Sequence, residues 1–355
     1  MYLSGSHALL QMLADAGVPY LFGNPGTTEL PLMDALIDDR RIKYILGLQE
    51  VPVMAMADGF AQASRKLGVV NLHISCGLGN AMGMLYNAYR AGTPLLVTAG
   101  QQDRRLMLEE PILWGQMVEV ARPWTKWSVE VNRVQDLPTA LRRAIQTALT
   151  PPTGPVFLSI PIDVQSEIAE LDLTPARPLD RHVRPPLGAL QQAALTLAQA
   201  ANPAILVGSR VVEADAVTEL VGVAEQLGAP VISESGTTHG RLSFPTDHPL
   251  YDQGLPLWSP EVRRRLQDFD TLLVVGMDLL RQYVYYEPSR AIPEHIKIVH
   301  LDEDPYQLGK NYPVEVGLIG DPKVGLAELG QLLAQTMTPD QQSAAQARAE
   351  RWKSL

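Results

Sequence analysis

Tyr44-Ile45-Leu46-Gly47-Leu48-Gln49-Glu50-Val51 joins a short apolar run to a helical pattern over 51–65, and a carboxylate stands at the junction. An acid at the buried carboxyl end of a strand costs on the order of several kcal/mol unless a partner accepts or shares its charge. Two readings account for it. Glu50 either answers the dipole of the helix that follows, worth roughly 0.3–1 kcal/mol, or performs chemistry. Its flanks favour the second reading. Upstream runs Tyr20-Leu21-Phe22-Gly23-Asn24-Pro25-Gly26-Thr27-Thr28-Glu29-Leu30, and downstream Val69-Val70-Asn71-Leu72-His73-Ile74-Ser75-Cys76-Gly77-Leu78-Gly79-Asn80. All three segments put polar residues or glycine at the carboxyl ends of consecutive strands, where open α/β sheets bind ligands.

The alternation extends outward. Helical patterns at 7–16, 28–37, 51–65, 79–91 and 136–149 alternate with strand patterns at 19–22, 43–48, 68–75, 94–99 and 155–160. Such alternation with glycine turns predicts an α/β fold, a doubly wound, mainly parallel sheet covered by helices on both faces. Residues 171–187, rich in proline and charge, read as an exposed linker. A second alternating set follows, with helices at 188–200 and 213–227 and strands at 204–208, 230–233, 271–276 and 296–302. The expected organisation is a first domain over 1–170, a linker over 171–187, a second doubly wound domain over 188–337, and a polar connector over 338–355.

Composition sets outer limits. A chain of 355 residues is long for one core and suits two domains. A net charge of −10 argues against a nucleic-acid-binding face. No apolar run reaches the roughly 18–20 residues of a membrane span, and the amino terminus lacks the pattern of a signal peptide. The single cysteine, Cys76, excludes an internal disulfide and fits a reducing compartment, so a cytoplasmic location is expected. Cys76 itself reads as a small packing residue. In the helix over 51–65, Ala55, Gly59 and Ala63 form a stripe of small residues that packs either on the domain's own sheet or on another chain.

The chain resembles thiamine-diphosphate-dependent 2-oxo acid decarboxylases, and within that family the benzoylformate decarboxylases. The resemblance is carried by Gly23-Asn24-Pro25-Gly26, Leu48-Gln49-Glu50, the run Ala57 to Arg65, Asn71-Leu72-His73, Gly79-Asn80-Ala81-Met82-Gly83, Val97-Thr98-Ala99-Gly100-Gln101-Gln102 and Gly154-Pro155-Val156-Phe157-Leu158-Ser159-Ile160-Pro161. These lie in order over the first 165 residues. The second half matches in organisation only.

The resemblance implies a thiamine diphosphate cofactor whose aminopyrimidine is activated by Glu50, a pyrimidine-binding role for the first domain, and a homo-oligomer, dimer or tetramer, with small 2-oxo acids as substrates. Pro25, Gly26, Gly77 and Leu78 join Glu50 as implied cofactor-binding residues. A lone histidine at a strand end usually serves packing, but the resemblance makes His73 catalytic. Thr27 stands where the family has a serine that binds the substrate carboxylate. Ile112 and Leu113 fall where the family lines its substrate pocket, and Val284 where a second histidine is expected. The family's Mg²⁺ and diphosphate site lies in a third domain. The nearest counterpart here, Gly320-Asp321-Pro322, lacks a needed backbone N–H, so no metal ligands are expected in these residues.

Three further readings stand beside this one. An acetolactate-synthase-like carboligase differs only in the product released. A catalytically silent half-enzyme would pair with a partner that carries the diphosphate site. A nicotinamide-dependent dehydrogenase would use Gly77-x-Gly79-x-x-x-Gly83, whose spacing departs from the dinucleotide fingerprint.

Overall fold

A computed structural model describes residues 1–175, 177, 179–234, 241–281, 284–287 and 290–354. The chain divides into two compact units, Met1–Asp180 and Arg181–Leu355. Each is built on a six-stranded, all-parallel sheet, as the alternation predicts.

In the first unit the strands lie side by side in the order Lys43–Leu46, Tyr20–Gly23, Gly68–Leu72, Leu95–Gln101, Val156–Pro161, Trp127–Glu130. The central strands read as continuous apolar runs because both faces are covered. On one face Leu96, Val69 and Leu158 meet the helices Gly5–Asp15 and Leu137–Leu149. The second of these presents Leu137, Leu141, Ala144, Ile145 and Ala148 at helical spacing. On the other face Val70, Leu72 and Val97 meet the helices Glu50–Ser64 and Ile74–Arg90. Replacing a fully buried residue such as Leu96 by alanine removes about 2–5 kcal/mol of stability. An antiparallel pair, Tyr2–Ser4 with Ile168–Glu170, ties the unit's ends together.

Strand order in this sheet reverses between Tyr20–Gly23 and Gly68–Leu72. Asn24-Pro25-Gly26 and His73 therefore emerge side by side at the switch point, the usual ligand position in such sheets.

The second unit has the order Tyr251–Gly254, Val231–Ser233, Pro203–Val207, Thr271–Val275, Lys297–Asp302, Val316–Ile319. Its switch point lies between Pro203–Val207 and Thr271–Val275. There the two loops lie against each other: Gly208 N donates to Val275 O (2.9 Å), and Arg210 N to Gly276 O (3.2 Å). A Cβ on Gly208 would lie 2.3 Å from that of Met277. Residues 171–187, predicted to be an exposed linker, are tethered at both ends. Arg142 holds the carbonyls of Asp172 and Thr174, and Val183 O accepts from Asp321 N. The polar tail is the helix Pro339–Lys353, folded back on the second unit, with Ala345 buried and Arg348 donating to the carbonyl of Leu227.

Candidate active site

Glu50 is the first residue of the helix Glu50–Ser64, and Gln49 caps that helix through its side chain on Val51 N (3.0 Å). The carboxylate therefore meets the positive end of the helix dipole, yet it is only 5% exposed, and the dipole alone does not offset burial. Two side-chain amides complete the environment. Asn24 Nδ2 donates to Oε1 at 3.1 Å and Asn80 Nδ2 to Oε2 at 2.9 Å. Gly77 lies beneath, where an added Cβ would be 3.2 Å from Oε1.

A second buried carboxylate adjoins it. Glu29 has no exposed surface, and its oxygens accept from Gly26 N (2.9 Å), Thr28 Oγ1 (2.7 Å) and Gly100 N (2.9 Å). His73 Nδ1 lies 2.8 Å from Oε2. A carboxylate accepting in this contact places a proton on Nδ1, and in the neutral imidazole Nε2 is then the lone-pair nitrogen. Gly26 is required by the same contact, since a Cβ there would stand 2.2 Å from the imidazole. The Tyr44 hydroxyl covers Gly23, and burial, then the charge of Glu29, pushes its pKa up.

His73 is the residue that caps the helix Ile74–Arg90, so the helix starts earlier than the predicted 79, and the strand ends at Leu72. The cause is Ile74, which adopts φ +38°, a backbone conformation that a β-branched residue rarely takes and that turns the chain sharply at the site. Gly77 and Gly79 consequently lie within helix and form no dinucleotide-binding turn, which removes the structural basis of the dehydrogenase reading. Cys76 is exposed, not packed as predicted, because its position in that helix faces outward.

Of the other predicted residues, Pro25 and Gly26 form the turn beside His73, and Leu78 is buried next to Gly77. Thr27 is exposed at the start of the short 3₁₀ turn Thr27–Glu29. Ile112 and Leu113 occupy an exposed turn, 83% and 41% accessible, fastened by Gln102 Nε2 on Ile112 O (2.7 Å). Among the described residues no hydrogen bond or core cluster joins them to His73. Val284 is 37% exposed, and its neighbours Gln282, Tyr283 and Pro288 lie outside the described residues. The Ala55, Gly59, Ala63 stripe is not what packs on the sheet; Val53, Met54, Ala57 and Ala61 do that, and a Cβ on Gly59 would meet nothing within 4 Å.

Sequence reasoning passed over Asn24, Asn80 and Glu29 as functional groups. Both asparagines sit in the quoted motifs, so the signal was present. Glu29 lies in a quoted run as well, but nothing local reveals partners 44 and 71 residues away.

The site suits an aminopyrimidine. Glu50 offers a buried carboxylate with acceptor capacity beyond its two amide bonds, and glycine at 77 leaves room beside Oε1. Among the described residues no cluster of three or more His, Cys, Asp or Glu could hold a metal, and Asp321 caps the helix Pro322–Thr336 through Val324 N. No described helix is long and apolar enough to cross a membrane.

Comparison with known proteins agrees with this geometry. Residues 3–117 match the thiamine pyrophosphate enzyme N-terminal TPP binding domain, and residues 190–329 match the thiamine pyrophosphate enzyme central domain. The chain is 37% identical over 318 residues to benzoylformate decarboxylase of Pseudomonas aeruginosa, covering 88% of this chain and 59% of that protein. A probable acetolactate synthase large subunit of Methanocaldococcus jannaschii is 30% identical, over 92% of this chain and 56% of its own length. The crystal structure of benzoylformate decarboxylase from Polynucleobacter necessarius superposes with a TM-score of 0.86 at 35% identity, over 93% of this chain and 61% of that one. The chain thus spans somewhat more than half the length of these relatives. Two consecutive domain matches, a shared fold and a buried carboxylate at the first switch point together place this chain in the thiamine-pyrophosphate enzyme family, of which it comprises the N-terminal and central domains.

Proposed function

We propose that this chain contributes the pyrimidine-binding and central domains of a thiamine-diphosphate-dependent decarboxylase acting on an apolar 2-oxo acid. The observation that carries the reading is Glu50, a buried carboxylate supported by neutral donors and backed by Gly77.

Bound thiamine diphosphate supplies an electron sink for the carbon–carbon cleavage. The rest falls to side chains of the chain. Glu50 accepts a hydrogen bond from the pyrimidine nitrogen and holds the ring in its reactive tautomer. Pro25, Gly26, Gly77 and Leu78 form the surface on which that ring lies. His73, held by Glu29, turns Nε2 toward the substrate and moves a proton there. Thr27 donates its hydroxyl to the substrate carboxylate, and its extra methyl narrows the pocket relative to serine. Ile112 and Leu113 offer apolar surface to the substrate side chain. The Ala55, Gly59, Ala63 stripe, half-buried at Ala55 and exposed at Gly59 and Ala63, supports a homo-oligomer, because small residues let a second backbone come close.

The 30% identity to an acetolactate synthase supports a second reading, carboligation. The complete enzyme, supplied with benzoylformate and separately with pyruvate, distinguishes the two. Release of CO₂ and benzaldehyde supports the decarboxylase; an acetohydroxy acid from pyruvate with no aldehyde release overturns it in favour of the carboligase.

A further inference from the structure

Among the described residues Glu50 has neutral partners only. Each oxygen takes one amide donor, Asn24 Nδ2 at 3.1 Å and Asn80 Nδ2 at 2.9 Å, and among the described residues no basic side chain pairs with it. The three residues follow three different strands: Asn24 the strand Tyr20–Gly23, Glu50 the strand Lys43–Leu46, and Asn80 the strand Gly68–Leu72. Holding each oxygen by a separate amide constrains the rotation of the carboxylate as well as its position. Had an arginine made the contact, its guanidinium fork would occupy both oxygens and compete with any incoming N–H donor. An amide takes one lone pair on each oxygen and leaves the other. The arrangement suits a carboxylate that must be oriented and still able to accept.

We propose that Asn24 and Asn80 are positioning residues, which hold Glu50 as an oriented acceptor for a heterocyclic N–H donor, the protonated pyrimidine nitrogen of the cofactor. This rests on the cofactor reading above. A purely structural role, satisfying a buried acid and nothing more, is the competing account. The two differ in what happens to Glu50 when one amide is removed and the fold survives.

The test compares Asn24→Ala, Asn80→Ala, the near-isosteric Asn24→Asp and Asn80→Asp, and Glu50→Gln. The complete enzyme, loaded with thiamine diphosphate and Mg²⁺, is assayed for kcat and KM and for the pH dependence of the cofactor's tautomer-sensitive circular-dichroism band. The unloaded 355-residue chain is followed by infrared spectroscopy at the carboxylate band that Glu50→Gln removes. Each asparagine variant is expected to lower kcat about tenfold to a hundredfold, the weight of one hydrogen bond to a charged group, with KM little changed. The dichroism midpoint and the infrared band should both shift, and in the Glu50→Gln background the asparagine variants should have no further effect. Unchanged kcat and spectra in folded asparagine variants, with Glu50→Gln still inactive, overturn the positioning role alone. Full turnover in Glu50→Gln overturns the cofactor reading and this proposal together.

Discussion

The two sheets of this chain have equivalent switch points and treat charge there in opposite ways. In the second unit Arg210 is 11% exposed and bridges Asp278 Oδ1 (2.9 Å) and Asp302 Oδ2 (2.8 Å), while Arg281 also contacts Asp278 and Arg241 pairs with Glu213 at 2.5 Å. Burial works against the charge of Asp302, but Arg210 holds its pKa below the usual carboxylate value. In the first unit Glu50 and Glu29 are supported by amides, backbone N–H groups, a hydroxyl and one imidazole. Topology brings polar groups to the same place in both. Guanidinium partners take up Asp278, Asp302 and Glu213 in the second unit, whereas neutral partners leave Glu50 with capacity for a ligand. Chemistry follows the partners, not the fold.

The comparison breaks most visibly at Arg210. Arg210→Ala leaves Asp278 and Asp302 buried without their shared cation, and a loss of about 3–5 kcal/mol in the second unit's stability is expected, measured by urea unfolding. Glu29→Gln comes next. It keeps the shape of the side chain but frees the His73 tautomer and turns one acceptor oxygen into a donor facing buried N–H groups, so turnover of the complete enzyme should fall about a hundredfold and thermal unfolding should show a loss of about 1–3 kcal/mol. Gly26→Ala pushes a methyl into the imidazole, and about tenfold lower activity is expected, with an overpacking cost of about 1–3 kcal/mol on thermal unfolding.

A further test is a pH dependence in the second unit. Burial first, then the charges of Glu213 and Asp302, push the pKa of Glu303 from 4.5 up to about 8. The folded state therefore favours the neutral acid. Its contribution to stability is complete below about 4.5 and is lost as pH rises through about 8. Urea midpoints should decline over that interval in the parent chain, and Glu303→Gln should flatten the decline. An unaltered slope in that variant would assign the dependence to another group.

Much of this is legible in the amino-acid sequence. Parallel strands buried on both faces leave apolar runs that local reading detects, so both doubly wound units and the three strand ends of the first site followed from the sequence. Glu50 stood out because an acid ending an apolar run is locally anomalous. Glu29 did not, because its burial depends on the amide of Gly100 and the ring of His73, brought close only by the sheet. The early start of the helix Ile74–Arg90 was hidden for a different reason: a left-handed isoleucine has no sequence signature. The ion network of the second unit joins residues 68 and 92 apart, beyond any periodicity argument.

What sets the first switch point apart is a carboxylate placed to perform chemistry. The most direct test of that role is steady-state turnover of a 2-oxo acid by the complete enzyme carrying Glu50→Gln, with far-ultraviolet circular dichroism to verify the fold. A fall of between about 10² and 10⁴ in kcat with an unchanged spectrum is predicted. Turnover equal to that of the parent enzyme would contradict the claim and return Glu50 to the role of a helix-end acid.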